Sequence, residues 1–158
     1  MTETRPHGLD SPSAVRIMRA MSVANVWIYR ATGGRVGGRW RMGSARRRPA
    51  PVCLLTTRGR KTGRLRTVPL LYLRDGGRVV VVASQGGLPT HPQWYLNLRR
   101  TPRVTVQTGD DIRLMTARTA SPEERAALWP RLVEMYADYD DYQSRTDREI
   151  PVVICDPA

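Results

Sequence analysis

The apolar residues of this chain change their period several times, and each change marks an element. Val15, Met18, Met21, Ala24, Trp27 and Ile28 recur at roughly helical spacing over residues 12–30, behind Ser11 as a cap and Pro12 in the first turn. Residues 31–50 lose that period. They form a connector rich in glycine and arginine, from Thr32-Gly33-Gly34 to Arg46-Arg47-Arg48-Pro49, in which no regular structure is expected. Trp40 within it is a candidate anchor at a lipid or ligand surface. Strand signals begin next, at residues 52–57 and 67–73, and Asp75-Gly76-Gly77 turns a hairpin into residues 79–83. The four consecutive valines of that last segment predict burial on both faces, as in a barrel wall. Pro92 opens a short helix over residues 93–100, ended by Thr101-Pro102. Residues 104–108 and 112–117 make another hairpin around Gly109-Asp110-Asp111. Ser121-Pro122-Glu123-Glu124 is a capping box with proline at the first helical position, and Pro130 is expected to kink or interrupt the helix that follows. Residues 151–155 supply the last strand.

That order, with mostly antiparallel strands and helices set apart, predicts an α+β barrel-like domain rather than a doubly wound sheet. Residues 1–50 read as an N-terminal helix and basic connector, and residues 51–158 as the barrel, one domain overall. The loops 58–63 and 84–92 are glycine-rich and polar, and each leaves the end of an apolar strand. A ligand pocket at the barrel rim is expected between them. No apolar run approaches the ~20 residues of a membrane span. The N-terminus lacks the basic-then-apolar layout of a signal peptide, so a cytoplasmic location is expected. Cys53 and Cys155 lie in apolar strands without Cys-x-x-Cys spacing and read as buried thiols in a reducing compartment.

Charge sharpens the expectation. The formal net charge is +12, and all but one of the 26 basic residues are arginine, Lys61 being the exception. Residues 1–50 carry +8 and residues 58–66 carry +5, whereas everything from residue 109 onward carries −5. The front half should therefore face an anion: a cofactor tail, acidic lipid headgroups or nucleic acid. Its densest stretch is Arg58-Gly59-Arg60-Lys61-Thr62-Gly63-Arg64-Leu65-Arg66. Glycines there let the backbone approach closely, and guanidinium forks match phosphate or carboxylate. The spacing is not that of a Walker loop. Metal catalysis is not expected, because His7 and His91 are the only histidines and neither sits in a ligand-spaced cluster. Hydrolysis is disfavoured by the lack of Gly-x-Ser-x-Gly; Ser84-Gln85-Gly86-Gly87 reads instead as a strand-end turn touching a ligand. Tyr136, Tyr139 and Tyr142, three apart, fall on one side of a helix or of successive turns. They are either core packing or a lid over a flat ligand, with one hydroxyl able to donate a hydrogen bond or a proton. A nucleic-acid-binding module stays open on charge alone, although no recognised motif for it accompanies Arg46-Arg47-Arg48.

Several ordered motifs add a resemblance. Gly59-Arg60-Lys61-Thr62-Gly63 with Arg66 and Pro69-Leu70 comes first, then Ala83-Ser84-x-Gly86-Gly87 and Pro92-x-Trp94-Tyr95-x-Asn97-Leu98. Glu123-Glu124-Arg125, Trp129-Pro130, Tyr142-Gln143, Thr146-x-Arg148 and Ile150-Pro151 follow. Over residues 12–157 the chain resembles the deazaflavin-dependent nitroreductase family of actinobacteria, whose members use coenzyme F420 and reduce quinones and nitro compounds. The resemblance implies a split β-barrel of about six strands with flanking helices. It implies a deazaflavin joined through a phosphodiester to lactate and polyglutamate, and hydride transfer to a quinone-like or nitro-type acceptor. By similarity Arg60, Lys61 and Arg66 hold the phosphate, within a loop that includes Thr62 and Gly63. Pro69, Ala83 and Ser84 border the ring, Gln85 and Gly86 complete the turn, and Trp94 packs near tail or ring. Tyr136, Tyr139 and Tyr142 close over the acceptor, and the proton comes from Ser84, a lid tyrosine or water. Two departures stand out: Leu71 where relatives often carry tyrosine, and Gln85 in place of a lysine. Strand alternation prevents Tyr72 from standing in for the ring missing at Leu71. FMN or haem in the same barrel are the competing cofactors. Further expected partners are an anionic membrane surface under the basic helix, on the inner face where menaquinone resides, and a second copy of the chain.

Overall fold

The computed structural model describes residues 12–158, so the Ser11 cap and His7 lie outside the described residues. Helix α1 (Pro12–Thr32) runs two residues past its expected end. It is pinned by Tyr29, which is 2% exposed. The Tyr29 hydroxyl donates to the Val52 carbonyl at 2.9 Å and accepts from the Gly109 amide at 2.8 Å. Val26 and Tyr29 pack on Val52 and Leu54, while Met21, Val23 and Trp27 stay exposed.

The connector is more ordered than its composition predicts. Strand β1 (Arg39–Trp40) pairs with β2 (Ala50–Arg58), placing Trp40 opposite Ala50, and a 3₁₀ turn spans Gly43–Arg46. Ala45 is fully buried against the helices. One small apolar side chain among the arginines is enough to dock the segment.

Strands β3 (Leu65–Leu71), β4 (Leu73–Asp75), β5 (Arg78–Val82), β6 (Arg103–Thr108), β7 (Asp111–Thr119) and β8 (Val152–Pro157) complete the sheet. All pairings are antiparallel, in the order β1-β2-β6-β7-β8-β5-β4, with β3 paired to β2. Because β4 continues β3 after Tyr72, the sheet curls back on itself as the expected split barrel. Eight strands replace about six. The gain comes from the short β1 and from the break at Tyr72, whose amide turns to the Pro51 carbonyl at 3.1 Å.

Alternation sorts the barrel wall between two cores. Val79 and Val81 point into the barrel with Cys53, Leu55, Val153 and Cys155. Val80 and Val82 point outward, with Val152 and Ile154, under α3 (Pro122–Met135) and α4 (Asp138–Ser144). The valine run is thus buried on both faces, as expected. Helix α2 (Gln93–Arg100) plugs the barrel with Trp94, Tyr95 and Leu98. The expected break at Pro130 does not occur, since α3 continues through it to Met135. Pro130 and Ala126 are both exposed, so the Ala126 carbonyl that proline leaves without its helical partner faces solvent.

Candidate active site

Two cavities are lined by successive stretches of β3. The first, of about 710 Å³, is cationic. Its rim is the Gly59–Arg64 turn, closed by the Gly59 amide donating to the Arg64 carbonyl at 2.7 Å and the Gly63 amide donating to Gly59 at 2.8 Å. Gly63 sits at φ +71°, a conformation that a side chain would strain. Arg60 is fixed by neutral groups. Its amide and its guanidinium both donate to Asn97 Oδ1, at 3.2 and 3.1 Å, and a second guanidinium nitrogen reaches Gln93 Oε1 at 2.9 Å. Buried Asn97 in turn donates to Thr57 Oγ1 at 3.3 Å. Arg60 is therefore oriented without its charge being cancelled. Lys61 and Arg66 are exposed beside it, and Arg30 at the end of α1 reaches Thr67 Oγ1 at 3.0 Å. Among the described residues none of these four cations forms an ion pair, whereas Arg78, Arg113, Arg118, Arg125 and Arg131 all do. Val26, Trp27, Val68 and Trp94 add apolar wall to the same groove.

The second cavity, of about 250 Å³, is lined by Pro69 and Leu71 from β3, by Ser84 and Gly86, by Trp40, and by all three tyrosines. Their spacing does not put them on one helix. Tyr136 caps the C-terminus of α3, and Tyr139 and Tyr142 lie on α4. The rings still converge: Tyr136 meets Tyr139 edge-on at 5.1 Å, and the Tyr136 and Tyr142 hydroxyls are 3.3 Å apart. The core-packing reading of the cluster therefore holds, and the same rings line a cavity. Tyr136 and Tyr139 are buried core, and their edges form the cavity wall. Burial pushes both phenols well above the usual tyrosine range, so each stays a neutral hydroxyl.

The turn after β5 is built to meet α4. Gln85, Gly86 and Gly87 all have positive φ. A Cβ at Gly87 would stand 2.6 Å from the Tyr142 carbonyl oxygen. Arg148 holds the turn from behind, donating to the carbonyls of Ser84 at 2.8 Å, Ala83 at 3.3 Å and Leu88 at 2.8 Å, with a further contact to His91 Nδ1 at 3.1 Å. The Arg148 carbonyl accepts from Gln143 of α4 at 2.9 Å, and Gln143 Oε1 accepts from Ile150 and Arg125. Helix and turn are thus one hydrogen-bonded unit.

The groove gathers Arg60, Lys61, Thr62, Arg66 and Trp94, and the second cavity gathers Pro69, Ser84, Gly86 and the tyrosines. Ala83 instead faces the barrel core with no exposed surface. Gly63 and Gln85 line neither cavity, and the Gln85 amide turns to Thr90 Oγ1 at 3.3 Å. Leu71 faces the tyrosines while Tyr72 packs on the barrel core, as alternation requires. Sequence reasoning gave no role to Arg30, Asn97 or Arg148. Each carried a signal: Arg30 as the cation ending an amphipathic helix, Asn97 and Arg148 as members of the ordered motifs.

Comparison with known proteins bears on this geometry. The model of the F420H(2)-dependent quinone reductase family matches residues 21–157. A Mycobacterium tuberculosis relative named for that same activity, Rv3178, is 49% identical over 117 residues, covering 74% of this chain and 98% of its own length. A solved structure described as the F420-H2 dependent reductase FDR-A is 46% identical with a TM-score of 0.63, over 67% of this chain and 94% of that one. Another, described as a domain-swapped dimer, is 37% identical with a TM-score of 0.65, over 92% of this chain and all of that one.

Proposed function

The chain belongs to the F420H(2)-dependent quinone reductase family, and from that premise we propose that its groove and aromatic cavity jointly hold coenzyme F420 and a quinone. The observation that carries this reading is the run of four uncompensated cations opening along β3 onto an apolar, tyrosine-walled cavity. A coenzyme with a multiply anionic tail and a flat, uncharged head requires both halves. FMN, with a single phosphate, leaves most of that positive charge unanswered, and haem uses it no better.

When bound, the reduced deazaflavin would supply a hydride from C5, and that one hydride with one proton converts quinone to hydroquinone. Arg60, Lys61 and Arg66 bind the phosphate, with Arg30 reaching the same groove from α1. Pro69, Ser84 and Gly86 border the ring. The tyrosines shape the acceptor space and exclude water. The Ser84 hydroxyl, one of the three tyrosines or water protonates the reduced acceptor.

The test is a pair of titrations. Replacing Lys61 and Arg66 together by alanine should weaken F420 binding, read by tryptophan quenching, by about 10–100-fold. Menadione binding should hardly change. Equal losses for both ligands, or no loss, contradict the assignment.

Lipid contact is part of the same proposal. Among the described residues no helix is long and apolar enough to cross a membrane. Val23 and Trp27 of α1 are nevertheless 68% and 72% exposed beside the arginine-rich connector, which suits a cytoplasmic enzyme resting on anionic lipid. Co-sedimentation with anionic liposomes that survives deletion of residues 1–30 would remove this contact. Pairing of two copies is likewise proposed, on the likeness to a dimeric structure, and sedimentation checks it.

A further inference from the structure

The connector carries a residue whose placement the cofactor reading leaves unexplained. Trp40 lines the tyrosine cavity, yet it belongs to a segment of glycine and arginine that leaves the barrel. It is held from both sides. Before the 3₁₀ turn, Trp40 pairs with Ala50 at the edge of the sheet. Within it, the chain is clasped to the junction of α3 and α4. The Ser44 amide donates to Asp138 Oδ2 and the Asp138 amide donates to Ser44 Oγ, each at 3.3 Å. Gly43 between them has φ +60°, and a Cβ there would stand 2.2 Å from Asp138 Oδ2 and 2.8 Å from the Tyr136 hydroxyl. Ala45 then enters the core that holds Tyr136 and Tyr139. Such a fit is more than a solvated loop requires. Its effect is to keep an indole 39% exposed over a mainly apolar cavity rather than sunk into the core.

Resting on the reading of this cavity as the acceptor site, we propose that Trp40 is a specificity-determining residue, an aromatic wall that selects flat, conjugated acceptors of one or two rings. Size supports it. The cavity of about 250 Å³ lies below the roughly 300–1,000 Å³ that encloses a drug-sized ligand, so it admits a quinone head and leaves any long tail outside. Chemistry supports it too: a planar indole stacks on an electron-poor quinone ring and loses little entropy in doing so. The connector then contributes to substrate choice, and Gly43 is the position that lets it approach Tyr136.

The experiment measures three quantities in wild type, Trp40→Ala and Trp40→Phe. These are menadione binding to the cofactor-free chain by calorimetry, F420 binding by fluorescence, and the KM for menadione with reduced F420 saturating. Trp40→Ala should raise both the menadione Kd and its KM by at least about tenfold while the F420 Kd stays within about twofold, and Trp40→Phe should recover most of the loss. If Trp40→Ala does not fold, Trp40→Leu replaces it, keeping apolar volume without the flat ring. An unchanged menadione Kd in the variant, or no menadione binding by cofactor-free wild type, overturns the proposal. Failure of wild type to bind F420 would instead end the cofactor reading. In that event, menadione binding that is lost on replacing Trp40 would still support the wall.

Discussion

Asn97 shows how much a single buried amide organises. It fixes Arg60 through backbone and guanidinium together, and it satisfies Thr57 within the barrel. Asn97→Ala should destabilise the fold by about 1–3 kcal/mol, because buried partners are left unpaired, and should also weaken F420 binding. Asn97→Asp separates the two effects: a carboxylate keeps both Arg60 contacts, can accept from the Thr57 hydroxyl where the amide donated to it, and cancels the charge. Denaturant melts near wild type combined with weaker F420 binding are expected for it, and undiminished binding would show that Arg60 does not serve the cofactor. The cations of the groove were legible in the sequence because charge density needs no structure to be read. Asn97 was not, since its role depends on α2 crossing beneath a loop 37 residues away.

The turn after β5 and helix α4 act as one element. Arg148 and Gln143 tie them through backbone carbonyls, and the close approach at Gly87 fixes their spacing. Gly87→Ala adds a methyl at φ +78° against the Tyr142 backbone and should displace α4. The expected outcome is a melting temperature lowered by several degrees, with menadione KM raised more than the F420 Kd. A variant unchanged in both would mean the turn does not position the tyrosines. Periodicity and local motifs predicted most elements here, including the capping box, in which the Ser121 and Glu124 side chains each accept from the other residue's backbone amide. They failed where long-range contacts decide. The connector is ordered by strand pairing at Trp40, by the Ser44–Asp138 hydrogen bonds and by the burial of Ala45, and α3 passes uninterrupted through an exposed Pro130.

At the scale of the whole molecule, none of the ion pairs among the described residues involves a cation of the groove. Glu124 ties the start of α3 to Arg118 on β7 at 2.7 Å and lies 3.7 Å from Arg78 on β5. Arg118 first, then the Ser121 amide, hold its carboxyl down at about 2. A carboxyl depressed in the folded state binds fewer protons than in the unfolded chain, so its stabilisation is present above the ordinary carboxylate range and lost as pH falls towards 2. Acid melts over that window should be steep in wild type and shallower in Glu124→Gln; identical slopes would refute the linkage. The groove, by contrast, keeps its cations unpaired, and that surplus is what the account requires a coenzyme tail to answer. The most direct measurement compares F420 with the same deazaflavin lacking phosphate and tail, each titrated into wild type and the Lys61→Ala, Arg66→Ala double variant. Wild type should prefer F420 by on the order of 100-fold, and the double variant should retain less than about fivefold. Equal affinities for the two compounds in wild type would contradict it.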